Sequence, residues 1–311
     1  MNTVLITGSS GFIAGHLVRA ARQRGAKRVI GVDTRPSANS GFDETHIADL
    51  SEPLAAFQLL RRIEPDMVYH LAGVSSGTDQ AIHLSNVSTT ECVLSALRVL
   101  APRARVVLMG SAAEYGNVGP ADQPVEERLA GVPTTSYGSS KRKVTKLAER
   151  ASAEFGQFVL VARPFNVVGA GMPQGLVAGA IASRIRLALA GSGPRRIRIG
   201  RIDSIRDFIN VDDVVAGLLS MASSGASGNA YNICSGEGHA ISEVLDIFLS
   251  FAGQSIPVER DKTLTRTGEV EMMVGSWRKA NRDLGWKPTI SFRDSLRSVW
   301  EASREPSERH S

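Results

Sequence analysis

The sequence predicts an α/β protein built on a doubly wound parallel sheet, and three observations predict it. Apolar strand-like segments alternate with helix-like segments through the first half of the chain, the pattern of a parallel sheet covered by helices on both faces. A glycine turn joins the first strand to the first helix. With 311 residues, 42% of them hydrophobic, the chain can bury the core of one large domain and a smaller lobe.

Composition narrows the classes of partner. The net charge of +5 and the pI near 9.5 favour an anionic ligand. The arginines are dispersed and aromatic residues make up only 5%, so no nucleic acid partner is expected and a small phosphorylated ligand is the simpler explanation. No apolar run approaches the roughly 20 residues that span a bilayer, so no membrane partner is expected. Cys92 and Cys234 lie in apolar runs, which predicts free thiols, no metal site and a cytoplasmic location.

The first strand and helix carry the glycine turn. Gly8 and Gly11 let the turn close tightly and let bare backbone approach a pyrophosphate, which would rest on the helix N-terminus. Ala14 stands where a third glycine is common, and alanine is tolerated there. The turn therefore predicts a dinucleotide site.

The second strand, 29–33, ends in a carboxylate. Asp33 can accept hydrogen bonds from a ribose 2'-hydroxyl and repel a 2'-phosphate, which favours NAD(H) over NADP(H). Arg35 keeps NADP(H) open, because a guanidinium group accommodates that phosphate. The elements expected next are a strand at 46–50, a helix at 54–62, a strand at 65–73, a helix from about 86 to 100 and a strand at 105–109.

Tyr137 and Lys141 open a helix predicted over 136–155, with Ser136 as its N-cap. One helical turn separates them, so both side chains lie on one face. A cation beside a phenol lowers its pKa toward the range useful for acid-base catalysis. The alternative is an ordinary helix start with a surface tyrosine and lysine.

Several motifs together resemble those of the extended short-chain dehydrogenase/reductases, the NAD-dependent epimerase/dehydratase family, whose sheet has the Rossmann fold. The motifs occur in the family's order and span most of the chain. They are Thr7-Gly8-x-x-Gly11-Phe-Ile, Asp33, Asp49-Leu50, His70-Leu-Ala, Ser111 before Tyr115-Gly116, Tyr137-x-x-x-Lys141 and Arg163-Pro-Phe-Asn166.

The resemblance implies roles for individual residues. Ser111, Tyr137 and Lys141 would be catalytic, with Lys141 also binding the nicotinamide ribose. The cofactor would contact Gly8, Ser10, Gly11, Phe12, Ile13, Asp33, Arg35, Asp49, Leu50, Leu71, Ala72, Gly73, Tyr137, Lys141 and Pro164. The substrate would contact Ser111, Asn166, Arg206, Arg266 and Glu269. Gly73 replaces a more usual alanine, and this change is expected to have no effect.

The second half of the chain predicts a smaller substrate lobe interleaved with the first domain. We expect a dinucleotide-binding domain at 1–165 with parts of about 200–235 returning to it, a lobe for the sugar nucleotide mainly at 166–302, and a flexible tail at 303–311. Ser242 is the expected cap of a helix in this lobe. The family also implies a homodimer formed through the helices that follow Asn86 and Ser136.

Within the family, segments 231–236, 275–276 and 285–288 are most similar to GDP-4-keto-6-deoxy-D-mannose reductases. They imply a 4-ketoreductase of a nucleotide-diphosphate 4-keto-6-deoxy sugar, with hydride transfer to C4 and Tyr137 as proton donor. A C4 epimerase that retains NAD is the alternative. A dehydratase is disfavoured, because Ala113 stands where dehydratases carry glutamate and the adjacent Glu114 is expected to point elsewhere. A non-catalytic dinucleotide sensor is the remaining hypothesis.

Overall fold

The computed structural model describes residues 2–191, 196–261, 263 and 270–303. The strands in this part of the chain are β1 (Thr3–Thr7), β2 (Arg28–Asp33), β3 (Glu44–Ile47), β4 (Met67–His70), β5 (Arg105–Met109), β6 (Phe158–Pro164), β7 (Asn166–Val168), β8 (Ile197–Ile199), β9 (Ile205–Asn210), β10 (Ala230–Ile233), β11 (Gly238–Ala240), β12 (Val258–Arg260) and β13 (Met272–Met273). The α-helices are α1 (Phe12–Gln23), α2 (Pro53–Ile63), α3 (Asp79–His83), α4 (Thr89–Leu100), α5 (Ser136–Phe155), α6 (Val177–Leu189), α7 (Val211–Ser224), α8 (Ile241–Ala252), α9 (Arg278–Leu284) and α10 (Phe292–Ala302).

The large sheet has seven parallel strands in the order β10-β6-β5-β4-β1-β2-β3. The predicted fold class is confirmed. The strand order reverses between β1 and β4, and in such sheets ligands bind in the crevice at the carboxyl ends of the strands beside this point. The exit of β1 carries the glycine turn, and the exit of β4 carries Leu71, Ala72 and Gly73, which the family resemblance assigned to the cofactor.

Both faces of the large sheet are buried. Alternate residues of β1 enter different apolar clusters, with Val4 and Ile6 on one face and Leu5 on the other. A strand covered on both faces needs apolar side chains at every position. This requirement explains why the inner strands of this sheet appear in the sequence as apolar runs, whereas the edge strand β3 is exposed and polar.

The smaller lobe is built on a second sheet in the order β11-β9-β13, with β7 paired to β9, and on the pair β8 and β12. Helices α6, α8 and α10 cover an apolar cluster of their own. Between β9 and β11 the chain returns to the large sheet as β10, which pairs in parallel with β6. Among the described residues, no helix is both long and apolar enough to cross a membrane.

Three helix starts differ from the sequence expectations. The helix expected from about Asn86 is instead α3, a π-helical segment (Leu84–Ser88) and α4. The N-cap of α5 is Thr135, whose Oγ1 accepts a hydrogen bond from the Gly138 amide at 3.0 Å. Thr135 has the extended backbone that a cap requires, with φ of −131°. Helix α8 begins at Ile241, so Ser242 lies in its first turn and does not cap it.

Candidate active site

The glycine turn at the exit of β1 leaves the space that a pyrophosphate needs. Gly8 has a φ of +69°, and a Cβ there would lie 2.9 Å from the backbone nitrogen of Ala72. Gly11 precedes α1, whose first turn is capped by no side chain of the described residues. The N–H groups of that turn therefore remain available to an anion. This geometry fits the diphosphate of a dinucleotide.

Asp33 lies beside the same turn, as predicted for a residue that binds the adenosine ribose. Its Oδ2 accepts hydrogen bonds from the Ser10 amide at 3.0 Å and the Ser10 hydroxyl at 2.7 Å. Its Oδ1 accepts from the Arg35 amide at 3.2 Å. The structure therefore brings together three of the predicted cofactor residues, and the carboxylate keeps lone pairs for a ribose hydroxyl.

Asp49 and Leu50 have local structural contacts. Asp49 Oδ1 accepts hydrogen bonds from the Ser51 amide at 2.9 Å and the Ser51 hydroxyl at 2.7 Å, which closes the turn before α2. Leu50 is buried in the apolar cluster under β2 and β4. Their predicted contacts with the adenine stay predictions.

Ser111 and Tyr137 meet at the cleft. Ser111 lies near Tyr137, and its side chain acts to lower the pKa of the phenol. Gly138 makes this approach possible, because a Cβ there would lie 2.4 Å from the carbonyl oxygen of Ala113. Glycine at that helix position lets α5 pack directly on the loop that carries Ser111.

The pKa of Tyr137 differs from the sequence expectation. Burial raises it above the ordinary value of 10.0, and the hydrogen bond from Ser111 opposes this rise. The ammonium of Lys141 lies 5.9 Å from the centre of the phenol ring, and its predicted lowering of the phenol pKa is not found. Because desolvation disfavours the charged phenolate, Tyr137 is protonated at neutral pH and is suited to donate a proton.

Lys141 is almost fully buried. Its Nζ donates to the carbonyl oxygen of Met109, the last residue of β5, at 2.9 Å. Burial lowers the pKa of Lys141 from 10.5 to about 8, and the charge of Glu114 opposes that effect. The lysine is therefore an ammonium group at neutral pH, and its pKa lies close enough to neutrality for small changes around it to matter.

His70 has a structural role. Thr90 Oγ1 donates to the carbonyl oxygen of Asn86 at 2.6 Å, so it accepts from His70 Nε2 at 3.1 Å. His70 Nδ1 then accepts from Thr7 Oγ1 at 2.8 Å. Burial, with a smaller contribution from Lys141, lowers the pKa of His70 to about 3, so the imidazole is neutral.

Asn86 is a site residue that the sequence reasoning missed. It lies in the π-helical segment, a rare distortion that is frequent at functional sites. Its Nδ2 donates to Val74 O at 3.0 Å and to Ser140 Oγ at 2.8 Å, and its Oδ1 accepts from Val74 N at 2.8 Å. Asn86 thus ties the turn after β4 to the residue that precedes Lys141. Apolar periodicity carries no signal for this contact.

Gly73 is not interchangeable with alanine in this chain, in contrast to the sequence expectation. Its φ is +152°, and a Cβ would lie 2.5 Å from Asn86 Oδ1 and 3.3 Å from Lys141 Nζ. We expect Gly73→Ala to lower the free energy of unfolding by about 1–3 kcal/mol, because a strained backbone is added to a clash. It should also weaken NAD binding, measured by nucleotide titration, since Lys141 is displaced.

Gly119→Ala is the matched control for Gly73→Ala. Gly119 has a φ of −65°, and a Cβ there would meet nothing within 4 Å. The control should retain parental stability and NAD affinity. Parental behaviour of Gly73→Ala would show that the turn after β4 adapts freely.

Two predicted substrate residues lie on adjacent strands of the smaller sheet. Asn166 opens β7 and its Nδ2 donates to Asp207 O at 2.9 Å. Arg206 lies on β9 and its Nη1 donates to Ile205 O at 2.9 Å. Arg266 and Glu269 lie outside the described residues. The roles of all four in binding substrate stay predictions.

The sequence matches the family described as the NAD dependent epimerase/dehydratase family over residues 4–234. This range covers most of the chain and includes the glycine turn, Asp33, Ser111, Tyr137 and Lys141. The chain belongs to the NAD-dependent epimerase/dehydratase family. It is an NAD(P)-dependent enzyme of the short-chain dehydrogenase/reductase type, and the predicted Rossmann sheet is the one this family uses.

One member of the family, GDP-6-deoxy-D-mannose reductase of Pseudomonas aeruginosa, is 31% identical over 96% of this chain and 97% of its own. Among solved structures, RMD from Pseudomonas aeruginosa complexed with NADPH aligns with a TM-score of 0.85 at 29% identity, over 97% of this chain and 99% of that one. The UDP-glucose 4-epimerase of Thermus thermophilus in complex with NAD aligns with a TM-score of 0.86 at 25% identity, over 98% and 99%. Reductases and epimerases are thus both among the relatives.

Proposed function

We propose that the chain is a 4-ketoreductase of a nucleotide-diphosphate 4-keto-6-deoxy sugar such as GDP-4-keto-6-deoxymannose. The observation that carries the proposal is the placement of the protonated phenol of Tyr137 5.9 Å from the buried ammonium of Lys141, with Ser111 beside the phenol. A reductase needs a proton donor at the carbonyl oxygen in its resting form, and a raised tyrosine pKa supplies one. The similarity to a GDP-6-deoxy-D-mannose reductase supports the same reaction.

The glycine turn, Asp33 and Lys141 would hold the reduced nicotinamide cofactor, which would supply the hydride for C4. Ser111 donates a hydrogen bond to the C4 carbonyl oxygen and holds it beside the phenol. Tyr137 gives its proton to that oxygen as negative charge develops on it, and the Lys141 ammonium stabilises the resulting phenolate. Asn166 and Arg206 on the smaller sheet would hold the sugar nucleotide, with Arg206 suited to its diphosphate because a guanidinium fork matches phosphate oxygens.

A C4 epimerase that retains NAD is the second candidate, favoured by the similarity to UDP-glucose 4-epimerase. Turnover stoichiometry separates the two. We expect the protein, mixed with GDP-4-keto-6-deoxymannose, to consume one reduced nicotinamide for each product formed, and to stop without added cofactor. Sustained conversion of UDP-glucose without added nicotinamide would overturn the reductase and establish the epimerase.

The proposed nucleotide of the substrate is GDP. With NAD present, thermal shifts with GDP, UDP, dTDP and CDP should be largest for GDP, because the substrate proposed is a GDP sugar. A largest shift with UDP would point to a different sugar nucleotide. The dehydratase and sensor hypotheses have less support, since the Glu114 carboxylate is bound by Ser111, Thr145 and Arg163, and both Tyr137 and Lys141 are in place.

We propose NAD(H) as the preferred cofactor, because the Asp33 carboxylate at the adenosine side of the glycine turn would repel a 2'-phosphate. NADP(H) is the alternative. It is supported by the similarity to RMD, whose structure contains NADPH, and by Arg35 beside Asp33. Titration with NADH and NADPH compares them directly. Tighter NADPH binding that disappears in Arg35→Ala would reverse this assignment.

A homodimer in the cytoplasm completes the proposal. Helices α4 and α5 pack together and leave Phe155 at the surface, flanked by the guanidinium groups of Arg98 and Arg150. A second copy that covers this face would bury the ring. Sedimentation analysis should give twice the mass of the chain, and a monomer at micromolar concentration would contradict it. The thiols of Cys92 and Cys234 are free, which suits a reducing compartment.

A further inference from the structure

Glu114 is a fully buried carboxylate that connects three separate elements of the active site. Its Oε1 accepts a hydrogen bond from the Ser111 amide at 3.0 Å. Its Oε2 accepts from the Thr145 hydroxyl at 2.7 Å and from Arg163 Nε at 3.1 Å. Ser111 belongs to the loop after β5, Thr145 to α5 and Arg163 to β6. Among the hydrogen bonds of the described residues, those of no other side chain join these three elements.

The groups around Glu114 favour the ionised form of its carboxylate and leave just enough room for it. The Ser111 amide and the buried guanidinium group of Arg163 can only donate, so these two partners fit the ionised carboxylate. Burial raises the pKa of Glu114, and the charge of Arg163 opposes that rise. Arg163 is held in turn, because its Nη1 donates to the Tyr115 hydroxyl at 3.0 Å. A Cβ on Gly110 would lie 2.4 Å from Glu114 Oε1, so glycine at that position leaves room for the carboxylate.

We propose that Glu114 is a positioning residue that holds the Ser111 loop, α5 and β6 in the one arrangement in which Ser111, Tyr137 and Lys141 act together. Thr145 lies one helical turn beyond Lys141 on α5, so its hydroxyl fixes the rotation and depth of that helix. The proposal rests on the proposed function, because it takes these three residues as the catalytic groups.

Glu114 also sets the charge state of its neighbours. The titratable groups that face Lys141 are His70 from β4, Tyr137 from its own helix and Glu114 from the loop after β5. His70 and Tyr137 are neutral, so Glu114 is the anion among these groups. Burial lowers the pKa of Lys141, and the carboxylate raises it again. Loss of this negative charge would therefore lower the pKa of Lys141 further.

The groups that face Glu114 itself come from the same three elements. Arg163 approaches from β6, the Ser111 amide from its own loop, and Thr145, Lys141 and Tyr137 from α5. Arg163 stays charged across the pH range of an assay. The pH-dependent consequence of removing Glu114 is therefore confined to Lys141 and Tyr137.

Glu114→Gln is the first test, because the amide keeps the shape and removes the charge. We expect kcat to fall by about 10- to 100-fold, the loss that a misplacement of about 1 Å produces, with little change in KM. The alkaline limb of kcat/KM, where Lys141 loses its proton, should move to lower pH. Parental kcat together with a parental pH profile would overturn the proposal.

Thr145→Val is the second test and keeps Glu114 charged and paired with Arg163. It replaces one hydroxyl by a methyl group of similar size, so we expect it to disturb the fold less than Glu114→Gln does. We expect a smaller fall in kcat than in Glu114→Gln. The alkaline limb of kcat/KM should stay at the parental pH, because the position of α5 changes while the charge of Glu114 does not. A Thr145→Val enzyme with parental kcat would show that Glu114 does not hold α5.

Asp213→Asn is the control for loss of a buried carboxylate. Asp213 accepts hydrogen bonds from Thr289 and Ile290 before α10, outside the catalytic cleft. This variant should lose stability and keep the parental kcat and pH profile. If Asp213→Asn shifts the alkaline limb of kcat/KM as Glu114→Gln does, the shift is a general effect of reduced stability, and the proposal fails.

NAD binding separates this proposal from the proposed function. Lys141 is expected to bind the nicotinamide ribose, so the pH dependence of NAD affinity reports the Lys141 charge without any sugar substrate. If the pH at which NAD affinity declines is lower in Glu114→Gln than in the parent, the proposal is supported, even if GDP-4-keto-6-deoxymannose is not reduced. If NAD affinity declines at the same pH in Glu114→Gln and in the parent, the proposal is refuted, whatever sugar the parent enzyme reduces.

Discussion

Replacing Tyr137 by phenylalanine is expected to lower kcat by about 100- to 10,000-fold, the contribution typical of a positioned general acid. The phenol is the protonated group at the cleft, because burial raises its pKa above the ordinary value of 10.0. Phenylalanine keeps the ring and removes only the proton donor. KM and NAD affinity should therefore change little. Steady-state kinetics measures kcat and KM, and a nucleotide titration measures NAD affinity.

Tyr69→Phe is the matched control for Tyr137→Phe. Tyr69 is fully buried in β4, and its hydroxyl has no hydrogen-bond partner among the described residues. Its loss should leave kcat at the parental value. Equal activity of Tyr137→Phe and the parent would remove the proposed proton donor and revive the hypothesis of a dinucleotide sensor.

Lys141→Met is expected to reduce kcat/KM by about 100-fold or more, because the buried ammonium stabilises the phenolate formed on proton transfer. In the parent enzyme, kcat/KM should fall as pH rises through about 8, where Lys141 loses its charge. The pH–rate profile measures this limb, and the methionine variant should lack it. A parental alkaline limb in the methionine variant would assign the limb to another group.

The same variant should be more stable than the parent at neutral pH. The folded-state pKa of Lys141, about 8, lies below its ordinary value of 10.5, so the charged lysine opposes folding below pH 8. The difference corresponds to about 3 kcal/mol, reduced by the lost hydrogen bond to Met109. Between about pH 8 and 10.5 this penalty disappears, so the parent should gain stability with rising pH relative to the variant. Denaturant unfolding at several pH values measures it.

Lys279→Met is the control for both effects of Lys141→Met. Lys279 is part-buried and donates to Asn229 Oδ1 and Ala230 O, each at 2.9 Å, at the edge of the large sheet. Burial lowers the pKa of Lys279 as well, so its replacement also removes a buried charge together with its hydrogen bonds, and it should leave kcat and the alkaline limb of kcat/KM unchanged. A stabilised but fully active Lys141→Met enzyme would show that the ammonium is not needed for catalysis.

The parts of the fold with strong periodicity could be predicted from the sequence. Strands buried on both faces appear as apolar runs, and β5 has the predicted limits. The glycine turn and Asp33 were predictable because the sequence itself places both at the exits of strands. The helix that carries Tyr137 and Lys141 also has its predicted limits.

The contacts that arrange these catalytic groups could not be predicted in the same way. Asn86 acts from a π-helical segment, which no apolar period indicates. The strain at Gly73 depends on a neighbour that is close only in the folded chain. The raised pKa of Tyr137 reflects burial, which outweighs the effect expected from a nearby cation. Each depends on tertiary contacts between residues that are distant in the sequence.

Deuterium transfer tests the central claim most directly. Parent enzyme is mixed with GDP-4-keto-6-deoxymannose and reduced nicotinamide that is deuterated at the transferable position, and the product is examined by NMR. The proposed reaction predicts one deuterium at C4 of the sugar with the parent, and almost none over the same time with Tyr137→Phe. Product without deuterium at C4, or equal labelling by both proteins, would contradict it.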